Sequence, residues 1–182
     1  MSRLKDLSPH LTYHCLNHTV DVEEQCLRIA KAEGIKDPHQ LFLLKIAAIY
    51  HDTGFLVKYR EHEAAGCKLF DEDAEDFGIP DDDQEIIREL IMATKLPQKP
   101  KNLLEKVICD ADLDYLGRED FFEIAETLHQ EFLFYGIVPD DAAWENLQNN
   151  FLLSHSYHTE SSRRLREPVK QEHIKKLTGH KV

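Results

Sequence analysis

The chain has 182 residues, 22 of them basic and 34 acidic, for a formal net charge of −12. That length fits a single domain, 1–182, able to bury roughly 70% of its unfolded surface without disulfide or structural-metal support. Apolar residues at 42% and charged residues at 31% exclude a disordered or membrane-embedded class, and the acidic balance disfavours broad electrostatic binding to nucleic acid or anionic lipid.

The opening MSRLKDLSPH carries no apolar run of signal-peptide length, and the longest apolar stretch, residues 41–50, is short and broken by Lys45. Neither secretion nor membrane spanning is expected. Cys15, Cys26, Cys67 and Cys109 form no C-x-x-C pair, which fits reduced thiols in a cytoplasmic protein.

Helical periodicity dominates, so the expected fold is an all-α, compact helical bundle. A first helix is expected over 13–33, where Cys15, Val22, Cys26 and Ile29 make a stripe spaced by three and four and Gly34 supplies a C-cap. Asp37-Pro38 opens a second helix running through Ile49; its LFLLKIAAIY is apolar nearly all round, as a central helix would be. Thr53-Gly54 is expected to end it. A third helix follows over 61–77, and Gly78-Ile79-Pro80 separates it from a fourth that begins at the acidic run Asp81-Asp82-Asp83. A loop at 97–100 precedes helices over 103–115, 119–135, 141–153 and 162–177. The acidic block 71–85 lacks the spacing of a calcium loop and reads as a solvated helix junction. The basic segment from Arg163 reads as a solvated surface or a partner of that block.

Three places put histidine or aspartate where the pattern predicts burial. His18 lies on the core stripe of the first helix, with His14 one turn earlier on the same side. His51 and Asp52 end the most apolar helix, and Asp112 is four residues beyond Ile108 and eight beyond Leu104 on an inward stripe. A buried ionised aspartate costs several kcal/mol unless paired or bound to metal, and no lysine or arginine is in register to pair both Asp52 and Asp112. One divalent cation taking His18, His51, Asp52 and Asp112 satisfies all four. Mixed imidazole and carboxylate donors suit Mn, Fe, Zn, Co or Ni, with Mg compatible, and a bridging Asp52 would allow a second ion.

The order His18, then His51-Asp52 in AAIYHDTG, then Asp112 in ICDADLDYLG resembles the HD-domain superfamily of metal-dependent phosphohydrolases over roughly 11–131. The stretches YHCLNHTVDV, HEAAGCKLF and the segment around Asp112 are also similar to cyclic nucleotide phosphodiesterases, with Cys15 in place of an asparagine. The resemblance implies that His18, His51, Asp52 and Asp112 are metal ligands, that His14 protonates the leaving oxygen, and that His62 lies beside the metal centre. His62, Lys95 and Arg118 are the expected contacts for a phosphate. His10, His39, His129, His155, His158, His173 and His180 are expected to be ordinary polar residues, His155 and His158 with an added option of covering a pocket mouth.

The expected function is hydrolysis, by a metal-activated water, of a phosphoester or phosphoanhydride in a small, nucleotide-like metabolite. Asp52, as ligand and bridge, counts with His14 among the catalytic residues. Cyclic nucleotide hydrolysis, diiron oxygenase chemistry on the same fold, and nucleotide sensing without turnover are the alternatives. The expected partner is a small phosphorylated metabolite, not nucleic acid or membrane, with homo-oligomerisation left open.

Overall fold

The computed structural model describes residues 6–179, so His180 lies outside it. Eight α-helices, and no strand among the described residues, make the all-α fold. They are α1 (Leu16–Ala32), α2 (Pro38–Tyr50), α3 (His62–Asp76), α4 (Asp81–Ala93), α5 (Leu103–Asp112), α6 (Phe121–Phe134), α7 (Asp141–Ser154) and α8 (Glu160–Thr178). Short 3-10 turns follow α2 at Thr53–Leu56 and α5 at Asp114–Gly117.

Local signals set the helix ends. Asp37 accepts from the His39 amide at 3.0 Å ahead of Pro38, a cap of the kind worth about 1 kcal/mol. Asn102 accepts from the Glu105 amide at 3.0 Å while Glu105 accepts from the Asn102 side chain and the Lys101 amide, a reciprocal box that starts α5. Gly34, at φ +81°, takes the left-handed turn after α1.

α1, α2, α3, α4 and α5 enclose the main core, with Val22, Cys26, Ile29, Leu44, Phe70, Ile87, Leu90 and Ile108 all fully or nearly fully buried. α2 packs against α1, α4 and α5, the central place its apolar composition predicted. A second cluster joins Tyr13, Leu113, Tyr115, Leu116 and Phe121 to Trp144, Leu152 and Ile174 of α7 and α8. The polar residues that end α2 and α5 emerge on the second cluster's side of the main core.

Five expectations need correction. The first helix begins at Leu16, because Tyr13, His14 and the extended Cys15 lie before it. Thr53-Gly54 does not release the chain but opens a 3-10 turn. The helix expected over 103–115 stops at Asp112 and tightens into the turn Asp114–Gly117. His129 and His173 are buried: His129 stacks on Trp144 at 5.0 Å, and His173 Nε2 donates to the Arg118 carbonyl at 2.8 Å. The basic C-terminal segment is not merely solvated either, since Arg166 pairs with buried Asp114 at 2.8 Å and Lys170, almost fully buried, donates to the His155 carbonyl at 2.6 Å.

Candidate metal centre

Three helix ends meet at one point. His18 comes from the first turn of α1, His51 and Asp52 from the end of α2, and Asp112 from the last residue of α5. His18 Nε2 lies 3.3 Å from Asp52 Oδ2 and 3.2 Å from Asp112 Oδ1; His51 Nε2 lies 3.2 Å and 3.6 Å from the same two oxygens. The two imidazole nitrogens are 3.4 Å apart. Donor atoms of His18, His51 and Asp112 all fall within 4.8 Å of one another.

The protons of this cluster decide what it can hold. His51 Nδ1 donates to the Ala48 carbonyl at 2.8 Å, so the neutral ring has a lone pair on Nε2. That lone pair faces a second imidazole and two carboxylates. Asp52 Oδ2 is fully buried and has no hydrogen-bond partner. Acceptors aimed at acceptors in a buried place call for a cation at their centre. Ligands at metal bonds of about 2.0–2.2 Å stand roughly 2.8–3.6 Å apart when cis or tetrahedral, which spans the observed separations. The donors of His18, His51 and Asp112 suit a divalent ion, and Asp52 Oδ2 lies beside them, 3.2–3.3 Å from both imidazoles.

Electrostatics agree. Burial alone lowers His18, but the Asp112 and Asp52 carboxylates override it and raise it to about 9; the same carboxylates raise His51 against its burial. Burial pushes Asp52 and Asp112 up, and the neighbouring imidazoles outweigh it and hold both below the usual carboxylate range. The cluster holds positive charge either as protons on the two rings or as a metal ion that displaces them.

The chain around Asp52 is arranged by close backbone approach. A Cβ on Gly54 would lie 1.8 Å from the His62 carbonyl oxygen, and one on Gly66 2.8 Å from the Tyr50 carbonyl, so both positions need glycine for α3 to pack on this turn. That contact brings His62 Nε2 to 3.3 Å from Asp52 Oδ1. Glu61, in the left-handed conformation at φ 56°, turns the chain from Arg60 into α3. Phe55 of the 3-10 turn stacks between His14 and His62, with ring centroids 4.3 Å and 4.0 Å away.

His14 is not held by α1. Its place is fixed by Glu131 of α6, whose carboxylate is fully buried. Glu131 Oε2 accepts from the Tyr13 and His14 amides at 2.9 and 3.1 Å, and Oε1 accepts from His14 Nδ1 and, at 2.8 Å, from the Tyr59 hydroxyl. With Nδ1 committed, His14 Nε2 is the nitrogen available to other chemistry. Burial pushes Glu131 up, but the donation from His14 and the two amides outweighs it and lowers it. Sequence reading missed Glu131, and its position 117 residues from His14 left no local signal.

A cavity of about 410 Å3 opens over the cluster, bordered by His14, Asp52, His62 and Asp112. Lys95 lines it, and so does Arg60, which the sequence had not singled out. Arg118 does not: Asp21 and Asp120 bind its guanidinium at 2.8 and 2.9 Å. His155 and His158 do not cover the mouth either; the His158 amide donates to Asp110 and His155 accepts from Lys170. The two acids flanking Asp112 are both fully buried and face elsewhere. Asp110 accepts from the His158 and Thr159 amides and the Thr159 hydroxyl, and Asp114 pairs with Arg28 and Arg166. They tie the start and middle of α8 to α5 and to the 3-10 turn after it.

No helix among the described residues is long and apolar enough to cross a membrane. The HD domain family model matches residues 15–114, more than half of the chain, narrower than the expected 11–131. It contains the four-residue cluster and His62 but stops short of His14 on one side and Glu131 on the other. HD domains are generally metal-dependent hydrolases. No curated protein and no solved structure matches the chain.

Proposed function

The chain belongs to the HD domain family, and we propose that it is a metal-dependent phosphohydrolase acting on a small phosphoester or phosphoanhydride. The observation that carries the reading is the buried convergence of His18, His51, Asp52 and Asp112 at 3.2–3.6 Å, with Asp52 Oδ2 lacking a hydrogen bond and Asp52 and Asp112 bordering a cavity. His18, His51, Asp52 and Asp112 hold the ion. A bound divalent metal lowers the pKa of water from about 15.7 toward 7 and polarises phosphoryl oxygens. One divalent ion offsets the two aspartates, and a second would leave the site positive, so an anionic phosphate is attracted locally despite the acidic chain.

The remaining roles belong to side chains around the ion. His14, with Nδ1 given to Glu131, presents Nε2 and, when protonated, delivers a proton to the departing oxygen. Glu131 is a positioning residue that fixes the ring. Lys95 and Arg60 at the cavity wall neutralise phosphate oxygens, and His62, beside Asp52, either contacts phosphate or joins a second ion. Arg118 has no part in this assignment. Cyclic nucleotide hydrolysis is one version of the same reading, since HCLNH and the Asp112 segment are where the phosphodiesterase likeness lies.

The test is phosphate or alcohol release from a panel of mono-, di-, tri- and cyclic nucleotides and simple phosphoesters with Mn, Co, Ni or Mg supplied. Turnover that depends on added metal and is lost in Asp112→Ala supports the proposal. No hydrolysis of any ester under any of these metals refutes it.

A further inference from the structure

Well-packed interiors leave few voids larger than a water molecule. The second hydrophobic cluster departs from this. Tyr115, Leu116, Phe121, Trp144 and Leu152 belong to that cluster, yet they also border the 410 Å3 cavity whose other wall is the metal centre. An apolar cavity of about 150 Å3 admits benzene, so this one holds a phosphate and a ring or two beside it.

Its polar groups are unevenly placed. His14, Asp52 and Asp112 and the neighbouring segment 60–63, with Lys95, supply the charged and imidazole groups of the lining, Glu61 and Glu63 among them. Among the residues that α6 and α7 contribute, Gln148 is the one polar side chain. The hydroxyls elsewhere on the wall are committed. Tyr59 donates to Glu131, Thr94 to the Ile91 carbonyl, and Tyr115 is hydrogen-bonded to Tyr13. A group bearing several hydroxyls would lose its water here and find few partners. A flat apolar group would instead meet the aromatic and aliphatic faces that Tyr115, Leu116, α6 and α7 contribute.

From this we infer that the leaving group of the substrate is an apolar, ring-bearing alcohol, seated against Tyr115, Leu116, Phe121, Trp144, Phe151 and Leu152. The inference rests on the phosphohydrolase reading and narrows the nucleotide-like expectation: esters of ring-bearing alcohols are preferred over sugar phosphates. In the reaction, water oxygen bonds to phosphorus as the phosphorus–oxygen bond to the ring-bearing group breaks. The electron pair goes to the departing oxygen, which takes its proton from His14, and water supplies the proton that restores the balance. The products are the alcohol and inorganic phosphate.

Benzyl phosphate and ribose 5-phosphate test this cleanly, because both lose a primary alkoxide and differ in the apolar or hydroxylated body attached. The metal-loaded protein should hydrolyse benzyl phosphate with at least about tenfold higher kcat/KM, the difference residing mainly in KM. A second readout needs no turnover. Trp144 is the chain's only tryptophan and lines the cavity, so 4-nitrobenzyl alcohol should quench its fluorescence saturably, and ribose should not. Leu147→Tyr, at a half-exposed position of the cavity wall, should weaken that quenching several-fold while far-UV circular dichroism is unchanged. Equal kcat/KM for the two esters, or quenching that is unsaturable and indifferent to Leu147→Tyr, overturns the inference and leaves the hydrolase reading standing. Saturable, Leu147-sensitive quenching with no ester hydrolysed supports the apolar pocket and defeats the hydrolase reading instead.

Discussion

Replacing Glu131 by glutamine separates the positioning of His14 from the metal cluster. The wild-type carboxylate is fully buried and accepts four hydrogen bonds, from the Tyr13 and His14 amides, His14 Nδ1 and the Tyr59 hydroxyl. An amide keeps one accepting oxygen and turns an N–H2 toward the donors on the other side. Two charge-assisted bonds, each worth about 1.5–3 kcal/mol, are lost, partly offset because a neutral group is easier to bury. A net loss of about 2–4 kcal/mol follows, which for a chain of this size lowers Tm by about 4–16 °C. The acid response should change as well. Because Glu131 sits below its ordinary value of 4.5, the stability it adds is complete above that pH and is lost as pH falls through the folded value, so the variant should show a flatter acid limb. For activity, a mis-set proton donor should cost about 100-fold in kcat, with metal content unchanged. Chemical denaturation at pH 7 and pH 4, metal analysis and steady-state kinetics check these points together. A variant with wild-type kcat and normal metal would refute the role given to Glu131 and, through it, to His14.

Other predictions probe the surrounding structure. Gly54→Ala puts a methyl 1.8 Å from the His62 carbonyl oxygen, so α3 must shift away from Asp52; metal affinity should fall at least about tenfold, by calorimetric titration, before global unfolding is seen. Asp114→Ala leaves Arg28 and Arg166 facing a buried gap and should cost about 3–5 kcal/mol in urea unfolding, with increased proteolysis of α8. His155 is lowered to about 3 by burial and by nearby Lys170, so it is neutral when folded; the stability tied to that is full above pH 6.5 and falls by up to about 1.4 kcal/mol per unit as pH drops toward 3. His155→Gln should therefore lose about 2 kcal/mol less than wild type between pH 6.5 and 5, and identical slopes would contradict this.

How much was legible in the sequence follows from which interactions are local. α2 was plain because its apolar run, its Pro38 start and its Asp37 cap are all within one segment. His18, His51, Asp52 and Asp112 stood out because each is a polar residue on an inward stripe or at the end of an apolar helix, and the structure brings their side chains together. His14 was misplaced onto α1 because the acceptor for its backbone and ring is Glu131 on α6, which competes with helix extension from far along the chain. Arg118 was misread for a similar reason: Asp21, on another helix, claims its guanidinium. The burial of Asp110 and Asp114 was invisible because their partners lie far along the chain: His158 and Thr159 ahead of α8 hold Asp110, and Arg166 of α8 pairs with Asp114. Helix faces are written in local spacing, whereas the partners of single polar groups are set by tertiary docking.

One metal site built from His18, His51, Asp52 and Asp112 underlies the proposed hydrolysis. It is tested by the metal content, by mass spectrometry, of protein purified without chelators, for wild type, His51→Gln and Asp112→Asn side by side. Wild type should carry at least about one divalent ion per chain, and both variants should lose most of it with folded helix content retained. Full metal content in both variants would contradict it.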